Sequence, residues 1–529
     1  MNRAATLTLP PRIDTLAWSW CVMVSGLSGC LFALPYLQAD LYALSWFAFV
    51  PWLLVSHRRS FRERYILGMA FGVGCYLTGT YWVVDFLMLF KQYRGAEAVA
   101  WGCLFWIYSA QLPALLSVAF AWLQQRLAIS DLILFPLLVV LCYAHFPMLF
   151  SAQIGESQSH FLVALQGVDR FGVSGLDAVI ALVNMLLLRL LLMGKRWLLS
   201  LSNWMAVCMV GIWFGYGLWS LQYWQQTIQS WPRLPIGLVQ PNEPPAVQRA
   251  PVYPGYSRAY PPEMEMTRRL AAAGAELVIW PESAYKGYFD QPAVSEAMQA
   301  EVKSMGISLV MQDIEKTGDG AMFNTVALID SSGREQGRYH KIKRVAFGEY
   351  VPGVSDVPLL RARVEAFFGQ FLNEIKAGTE LVSFKHQAIT IVPLICYETM
   401  FSTFVADSMA ASTNGRLIVA ASSNGWFGAT RQPFQHLSSA VLRAVENRVA
   451  MVHVVNNGPS TVVTPDGHIV LQTDFRQAGG YLAEVPYAPT DERMSQWHPR
   501  WFLYVVYVIG SFCLGLALCR RPCAREVLG

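Results

Sequence analysis

Ala388-Ile-Thr-Ile-Val-Pro-Leu-Ile-Cys-Tyr-Glu-Thr-Met400 is an apolar, β-rich run that delivers one cysteine, Cys396, into a polar turn beside Tyr397 and Glu398. Of the ten cysteines, nine (21, 30, 75, 103, 142, 208, 513, 519 and 523) lie in apolar stretches or in the C-terminal tail. Cys396 is thus the one thiol of the polar segment from about Tyr223 to Arg500. A lone thiol at a strand end suits a nucleophile on a sharp strand-to-loop turn. It equally suits a buried structural cysteine, so the choice rests on what the rest of the chain brings to it.

Outside that segment the composition changes character. Apolar residues make up 54% of the 529 and charged residues only 14%, with a mean hydropathy of +0.34, values that place much of the chain in a bilayer. A length of 529 residues also exceeds what one core serves. The net charge of +4 is too small to argue for nucleic acid. Zinc-type Cys/His spacing, a glycine-rich phosphate loop and a basic-aromatic stripe are all missing from the sequence, so neither metal, cofactor nor nucleic acid is expected.

A hydrocarbon core of about 30 Å takes about 20 apolar residues per helix. By that ruler the sequence predicts eight spans, at 16–37, 41–56, 65–90, 97–123, 131–150, 171–193, 200–222 and 501–519. Basic clusters at His57–Arg64, Gln125-Arg126, Gly194–Arg196 and Arg520–Arg525 fall on one side when the spans alternate, with Lys91 and Arg94 as the exceptions. That side is the cytoplasm, which puts the polar segment outside it. Leu27-Ser28-Gly29-Cys30 has the form of a lipoprotein cleavage site, but seven further spans follow and the first is read as uncleaved. The organisation expected is a helical membrane domain over 1–222, a catalytic domain over 223–500, and a last helix with a cytoplasmic tail over 501–529. Asp85 is the clearest ionisable residue inside a span, and so few argue against a transporter or receptor.

Within the polar segment, strands are predicted at Leu234–Gln240, Glu276–Trp280, Gly306–Gln312, Ala388–Ile395 and Leu417–Ala421. A hairpin is predicted over Asn324–His340, paired strands around Gly467, and helices over Pro262–Ala273 and Gln435–Arg448. Strands interleaved with helices make an α/β layered domain. Three of these strands run into a chemically capable residue: Glu282 after Leu277–Trp280, Lys341 after Gly337–His340, and Cys396 after Ile389–Ile395. Taken singly, Glu282 and Lys341 read as solvated charges. Together at one sheet edge they supply a general base for the thiol and a cation for a thiolate or an oxyanion, with the backbone N–H after the nucleophile as a second donor.

Further stretches carry a resemblance. They are Trp280-Pro281-Glu282-Ser283-Ala284, Tyr339-His340-Lys341 followed by Phe347-Gly348-Glu349-Tyr350-Val351-Pro352, Ile395-Cys396-Tyr397-Glu398, Trp426-Phe427-Gly428, and Gly79-Thr80-Tyr81-Trp82 in the third span. With seven spans before the catalytic segment and one after it, the chain resembles the nitrilase superfamily and, within it, the bacterial apolipoprotein N-acyltransferases. The resemblance implies an αββα sandwich outside the cytoplasm of the bacterial inner membrane. It also implies Glu282 as base, Lys341 as oxyanion stabiliser, Cys396 as acyl-carrying nucleophile, Glu349 in support, and Tyr397, Glu398, Trp426 and Phe427 around the pocket. The reaction implied is transfer of an acyl chain from a phospholipid, through a Cys396 thioester, to the α-amine of a diacylglyceryl-modified cysteine on an apolipoprotein; a monomer is expected. Leu359–Ile375 is a candidate lipid-dipping arm or an ordinary core helix. Two loops, 241–250 and 422–425, depart from the family pattern. They leave open another amine acceptor, and an amidase that passes the acyl group to water is a further alternative.

Overall fold

The computed structural model describes residues 16–244, 252–283, 287–346, 348–350, 363, 375–412, 415–489 and 498–520. The chain divides into two compact units, one of residues 1–148, 152–221 and 497–529, the other of residues 149–151 and 222–496.

The first unit is helical. Among the described residues five helices are long and apolar enough to cross a bilayer: Trp18–Leu37, Gly95–Arg126, Val168–Leu199, Leu201–Gln229 and Arg500–Cys519. A sixth is counted if Phe61–Gly79 and Val83–Lys91, bent by 57°, make one broken span. The other two expected spans are shorter helices, Ala39–Val55 and Asp131–His145, so the figure of eight full spans is not established. The third span starts at a capping box, in which Ser60 and Glu63 satisfy each other's backbone N–H groups. It breaks at Thr80–Trp82, within the Gly79–Trp82 motif. Close approach of Trp18–Leu37 to Phe61–Gly79 depends on glycine: a Cβ at Gly29 would lie 1.9 Å from the Phe71 carbonyl oxygen. Asp85 is exposed. The buried carboxylates among the described residues of this unit are instead Glu156, Asp169 and Asp177, and Asp177 Oδ1 accepts the Gly155 N–H at 2.7 Å.

The second unit holds two six-stranded sheets. We number the strands β1 (Arg233–Gln240), β2 (Leu277–Ile279), β3 (Ser308–Lys316), β4 (Met322–Ile329), β5 (Glu335–His340), β6 (Phe384–His386), β7 (Ile389–Ile395), β8 (Gly415–Ser422), β9 (Ala450–Val455), β10 (Thr461–Val463), β11 (Ile469–Gln472) and β12 (Gly479–Pro486). Their orders are β12-β1-β2-β3-β4-β5 and β11-β10-β9-β8-β7-β6. β1, β2 and β3 are parallel, as are β7, β8 and β9; the outer strands pair antiparallel.

Strands buried on both faces read as continuous apolar runs, and here alternate residues serve two cores. Ile236, Leu277 and Ile279 of one sheet meet Ile391, Ile395, Val419 and Val452 of the other. Val278, Trp280, Leu309 and Met311 face outward onto Met264 and Leu270 of the helix Pro262–Ala272 and Met298 and Val302 of the helix Pro292–Met305. Each of these helices opens on proline, whose missing N–H costs nothing there. Helices Ser402–Ala411 and Gln432–Asn447 accompany the second sheet, which completes the expected αββα sandwich.

Candidate active site

Strand direction brings the three candidates together. β4 is antiparallel to both β3 and β5, so β5 runs the same way as β3 and β2, and Glu282 and Lys341 emerge at the same sheet edge. Lys341 extends the ladder by one more bond, its N–H donating to the Asn324 carbonyl at 2.9 Å. Cys396 follows the parallel strand β7 in the facing sheet, and Ser423, just past β8, ties the sheets by donating its N–H to Glu282 Oε2 at 3.1 Å.

Both reactive turns hold a non-glycine residue in the left-handed region, Cys396 itself (φ 51°) and Ser283 next to Glu282 (φ 63°). Such conformations cost about 1–3 kcal/mol each and persist where the surroundings fix them. Here they are fixed. The Ser283 N–H donates to Gln312 Oε1 at 2.7 Å, and Gln312 Nε2 donates to Asn324 Oδ1 at 2.7 Å. Asn324 Nδ2 in turn donates to Glu282 Oε1 at 2.7 Å and to Glu349 Oε1 at 3.2 Å.

Lys341 is 1% exposed at its side chain, so its ammonium is committed to neighbours: Glu349 Oε1 at 2.9 Å and Glu282 Oε1 at 3.5 Å. Burial alone would lower its pKa; the Glu282 and Glu349 carboxylates outweigh that and hold it well above the usual lysine value. The Cys396 thiol is pushed up, first by burial and then by Glu282, against the opposing pull of Lys341 and the Ser423 N–H. Cys396 therefore rests as a protonated thiol, not the preformed thiolate that a neighbouring lysine alone suggests. Cys396 is a free cysteine.

Residues 246–498 match the carbon-nitrogen hydrolase family, and residues 28–186 match the apolipoprotein N-acyltransferase N-terminal domain. The apolipoprotein N-acyltransferase of Geobacter metallireducens is 28% identical over 88% of this chain and 89% of its own length. That of Pseudomonas syringae pv. tomato is 27% identical over 95% and 99%. The chain belongs to the apolipoprotein N-acyltransferase family. Among solved structures, an amidase from Nesterenkonia sp. is 18% identical, with a TM-score of 0.37 over 51% of this chain and 96% of its own.

For a member of this family of membrane enzymes, the remaining sequence candidates fall in distinct places. Glu349 belongs with the triad: besides Lys341 and Asn324, it accepts the Val345 N–H at 2.8 Å through Oε2. Glu398 is fully buried and turns back under Cys396. Its carboxylate accepts the Tyr339 hydroxyl at 2.8 Å, the Ile342 and Lys343 N–H groups at 2.7 and 3.0 Å, and the Ile395 N–H at 2.8 Å. It thereby ties the Lys341 loop to the Cys396 strand. Burial raises its pKa to about 6 despite those donors. The Tyr397 hydroxyl accepts the Ser151 N–H at 2.6 Å, and its ring meets Phe401 edge-on at 5.0 Å. Trp426 and Phe427 form the short turn Gly425–Phe427 just past Ser423, Phe427 buried and Trp426 half-buried. Of the two departing loops, 241–244 and 422–425 are described, whereas 245–250 and most of the arm expected at Leu359–Ile375 lie outside the described residues.

The residues missed are uncharged at neutral pH. Gln312, Asn324, Ser423 and His436 carry the hydrogen bonds that fix Glu282 and the Cys396 turn; Ser423 lies in the departing loop 422–425, and the other three stand in no run that sets them apart in the sequence. Among the described residues, no group of three or more His, Cys, Asp and Glu side chains is arranged to hold a metal ion.

Proposed function

We propose that this chain acylates the N-terminal amine of membrane-anchored lipoproteins, taking the acyl chain from a phospholipid and carrying it as a thioester on Cys396. The observation that carries the reading is the convergence of Glu282 and Lys341, from the edge of one sheet, with Cys396, from the facing sheet, in a chain that also contains multiple membrane-length apolar helices. In the first half-reaction Glu282 takes the thiol proton as sulfur bonds to the ester carbonyl carbon. The tetrahedral oxyanion meets the Lys341 ammonium and the Tyr397 backbone N–H. Collapse breaks the ester C–O bond, and Glu282 returns the proton to the departing glycerol oxygen, releasing lysophospholipid. In the second, an α-amine attacks the thioester carbonyl, its proton passes through Glu282 to the leaving sulfur, and an amide forms.

Both substrates are lipid-anchored, which is the physical sense of fusing this catalytic unit to a helical membrane unit. The basic clusters between spans favour a cytoplasmic location for those loops and a periplasmic one for the catalytic unit of a bacterial inner-membrane protein. All the catalytic groups come from one chain, so a monomer suffices. The test is incubation with a phospholipid bearing a radiolabelled acyl chain. A hydroxylamine-sensitive adduct on Cys396, with lysophospholipid released before any acceptor is added, is the expected result. Discharge by a diacylglyceryl-cysteine peptide should yield amide; discharge only to free fatty acid identifies an amidase, and absence of any adduct overturns the proposal.

A further inference from the structure

The helix Gln432–Asn447 carries a column of polar side chains at helical spacing, His436, Ser439, Arg443 and Glu446, and all four face the nucleophile turn and the helix that follows it. Arg443 Nη1 donates to the Thr399 carbonyl at 3.3 Å and pairs with Glu446 at 2.8 Å, and Glu446 Oε1 accepts the Ser402 hydroxyl at 2.9 Å. Ser439 Oγ donates to the His436 carbonyl at 2.7 Å and lies 3.0 Å from Thr399 Oγ1. At the head of the column His436, 3% exposed, places Nε2 3.1 Å from the carbonyl oxygen of Cys396 and 2.9 Å from Thr399 Oγ1.

The chemistry of these partners fixes the proton positions. A carbonyl oxygen only accepts, so Nε2 carries the hydrogen and donates it. Thr399 Oγ1 donates to the same oxygen at 3.3 Å, which gives the Cys396 carbonyl two donors. Nδ1 is then an acceptor. Asn424 Oδ1 lies 3.0 Å from it and the buried Asn424 Nδ2 meets no acceptor, so a half-turn of the amide gives Nδ1 a donor and accounts for the otherwise unmatched NH₂. Behind the ring stands His453, edge-on at 4.6 Å, with its own Nε2 2.7 Å from Ser422 Oγ. Burial lowers the His436 pKa to about 4, the Cys396 carbonyl opposing this and the Lys341 charge adding to it. The ring is therefore neutral at working pH.

The carbonyl of Cys396 and the N–H of Tyr397 belong to one planar trans peptide and point in opposite directions. A donor on the oxygen draws electron density through the amide, makes the N–H a stronger donor and locks the plane in which it lies. We propose that His436 is a positioning residue for acyl transfer: by donating Nε2–H to the Cys396 carbonyl, it orients and polarises the Tyr397 N–H that receives the oxyanion of the tetrahedral intermediate. This rests on the acyl-thioester reading above, and assigns His436 no contact with substrate.

Two reactions of the same sulfur separate this role from a structural one. Acylation of Cys396 by a phospholipid passes through an oxyanion; alkylation by iodoacetamide is a displacement at carbon and forms none. In the full-length protein in phospholipid–detergent micelles, His436→Leu should slow labelled thioester formation about ten- to a hundredfold, part of what loss of a whole oxyanion donor costs, while alkylation stays within about twofold of wild type. His436→Gln, whose amide reaches the Nε2 position with a hydrogen, should recover most of the acylation rate. Should His436→Leu not accumulate as folded protein, Thr399→Val removes the second donor to the same carbonyl, and the same split is expected of it. Acylation and alkylation falling together, an unaltered acylation rate, or a glutamine variant no better than leucine would each overturn the inference. A wild-type protein that alkylates but forms no thioester would overturn the acyl-transfer reading and this inference with it.

Discussion

In the proposed mechanism Glu282 acts on Cys396 in two opposite ways, and one substitution separates them. As a fixed negative charge, the carboxylate is the second cause, after burial, of the raised thiol pKa; as a general base, it is what allows that thiol to react. Glu282→Gln keeps the shape and removes both. Loss of an opposing charge within about 4–6 Å moves a pKa by about 1–3 units, and here the thiol pKa falls because the charge that disfavoured the thiolate is gone. Lys341 remains beside the sulfur, held by Glu349 at 2.9 Å. Each unit of fall raises the thiolate fraction tenfold but makes that thiolate less nucleophilic by about threefold, a net gain of about threefold per unit. Iodoacetamide should therefore alkylate Cys396 about 3- to 30-fold faster in Glu282→Gln than in wild type at pH 8, read by mass spectrometry of the Cys396 peptide. Thioester formation from phospholipid should fall about 10²- to 10⁴-fold in the same preparation, because no group takes the thiol proton as the C–S bond forms. Unchanged or slower alkylation would refute the electrostatic half of the argument. Thioester formation at the wild-type rate would refute the base.

Glu398→Gln exchanges one carboxylate oxygen for an NH₂ group facing donors, removing at least two charge-assisted bonds; at about 1.5–3 kcal/mol each the melting temperature should drop by about 6–12 °C, and an unshifted melt would show that the carboxylate does not tie the two loops. Glu263, buried on the helix Pro262–Ala272, has its pKa raised by burial from 4.5 to about 7. Below pH 4.5 both states hold the proton and there is no penalty; between 4.5 and 7 only the folded state keeps it, so stability falls as pH rises, by up to about 3 kcal/mol. Glu263→Gln should thus match wild type in thermal melts at pH 4.5 and exceed it at pH 8, and equal melts at both would refute the assignment. A periplasmic-active reporter should work when fused after Trp231 and fail after Gly194, and the reverse pattern would invert the topology.

The sheets were legible where strands are buried on both faces, because runs such as Leu277–Ile279 and Ile389–Ile395 are apolar without interruption. β9 escaped notice because Ala450 follows the helix Gln432–Asn447 after only Arg448 and Val449. The chain reverses there through Arg448 at φ 53°, with no glycine or proline to announce it. β12 begins with Gly479-Gly480, which reads as loop; its pairing with β1 is a contact between distant parts of the chain. A count of apolar residues measured membrane spans but not bends, and so passed over the break at Thr80–Trp82. Glu282, Lys341 and Cys396 were legible as residue types at strand ends. Glu398 was legible as an acid next to the nucleophile, but the direction of its side chain is set by three N–H groups at 342, 343 and 395. Asn324 and His436 carry no local signal, since their partners lie 42 and 40 residues away.

The arrangement of charge bears on why the site needs two carboxylates for one ammonium. Lys341 lies nearer Glu349 than Glu282, 2.9 against 3.5 Å, and Glu349 is otherwise held by the Val345 N–H and Asn324. Glu349 is thus the hydrogen-bonded partner that keeps the buried ammonium in place, while Glu282 supports its charge from farther off. Were Glu282 the sole counter-ion, proton transfer to it would strand a buried cation and raise the barrier by the cost of that unpaired charge. In the proposed mechanism, with Glu349 present, the thiol proton moves to Glu282 with no change in the total charge of the site, and the negative charge passes from carboxylate to sulfur and then to the oxyanion. At that moment the protonated Glu282 has released its pull on Lys341. The ammonium meets the oxyanion as the carboxylate gives it up, and the base and the oxyanion stabiliser act as one coupled unit.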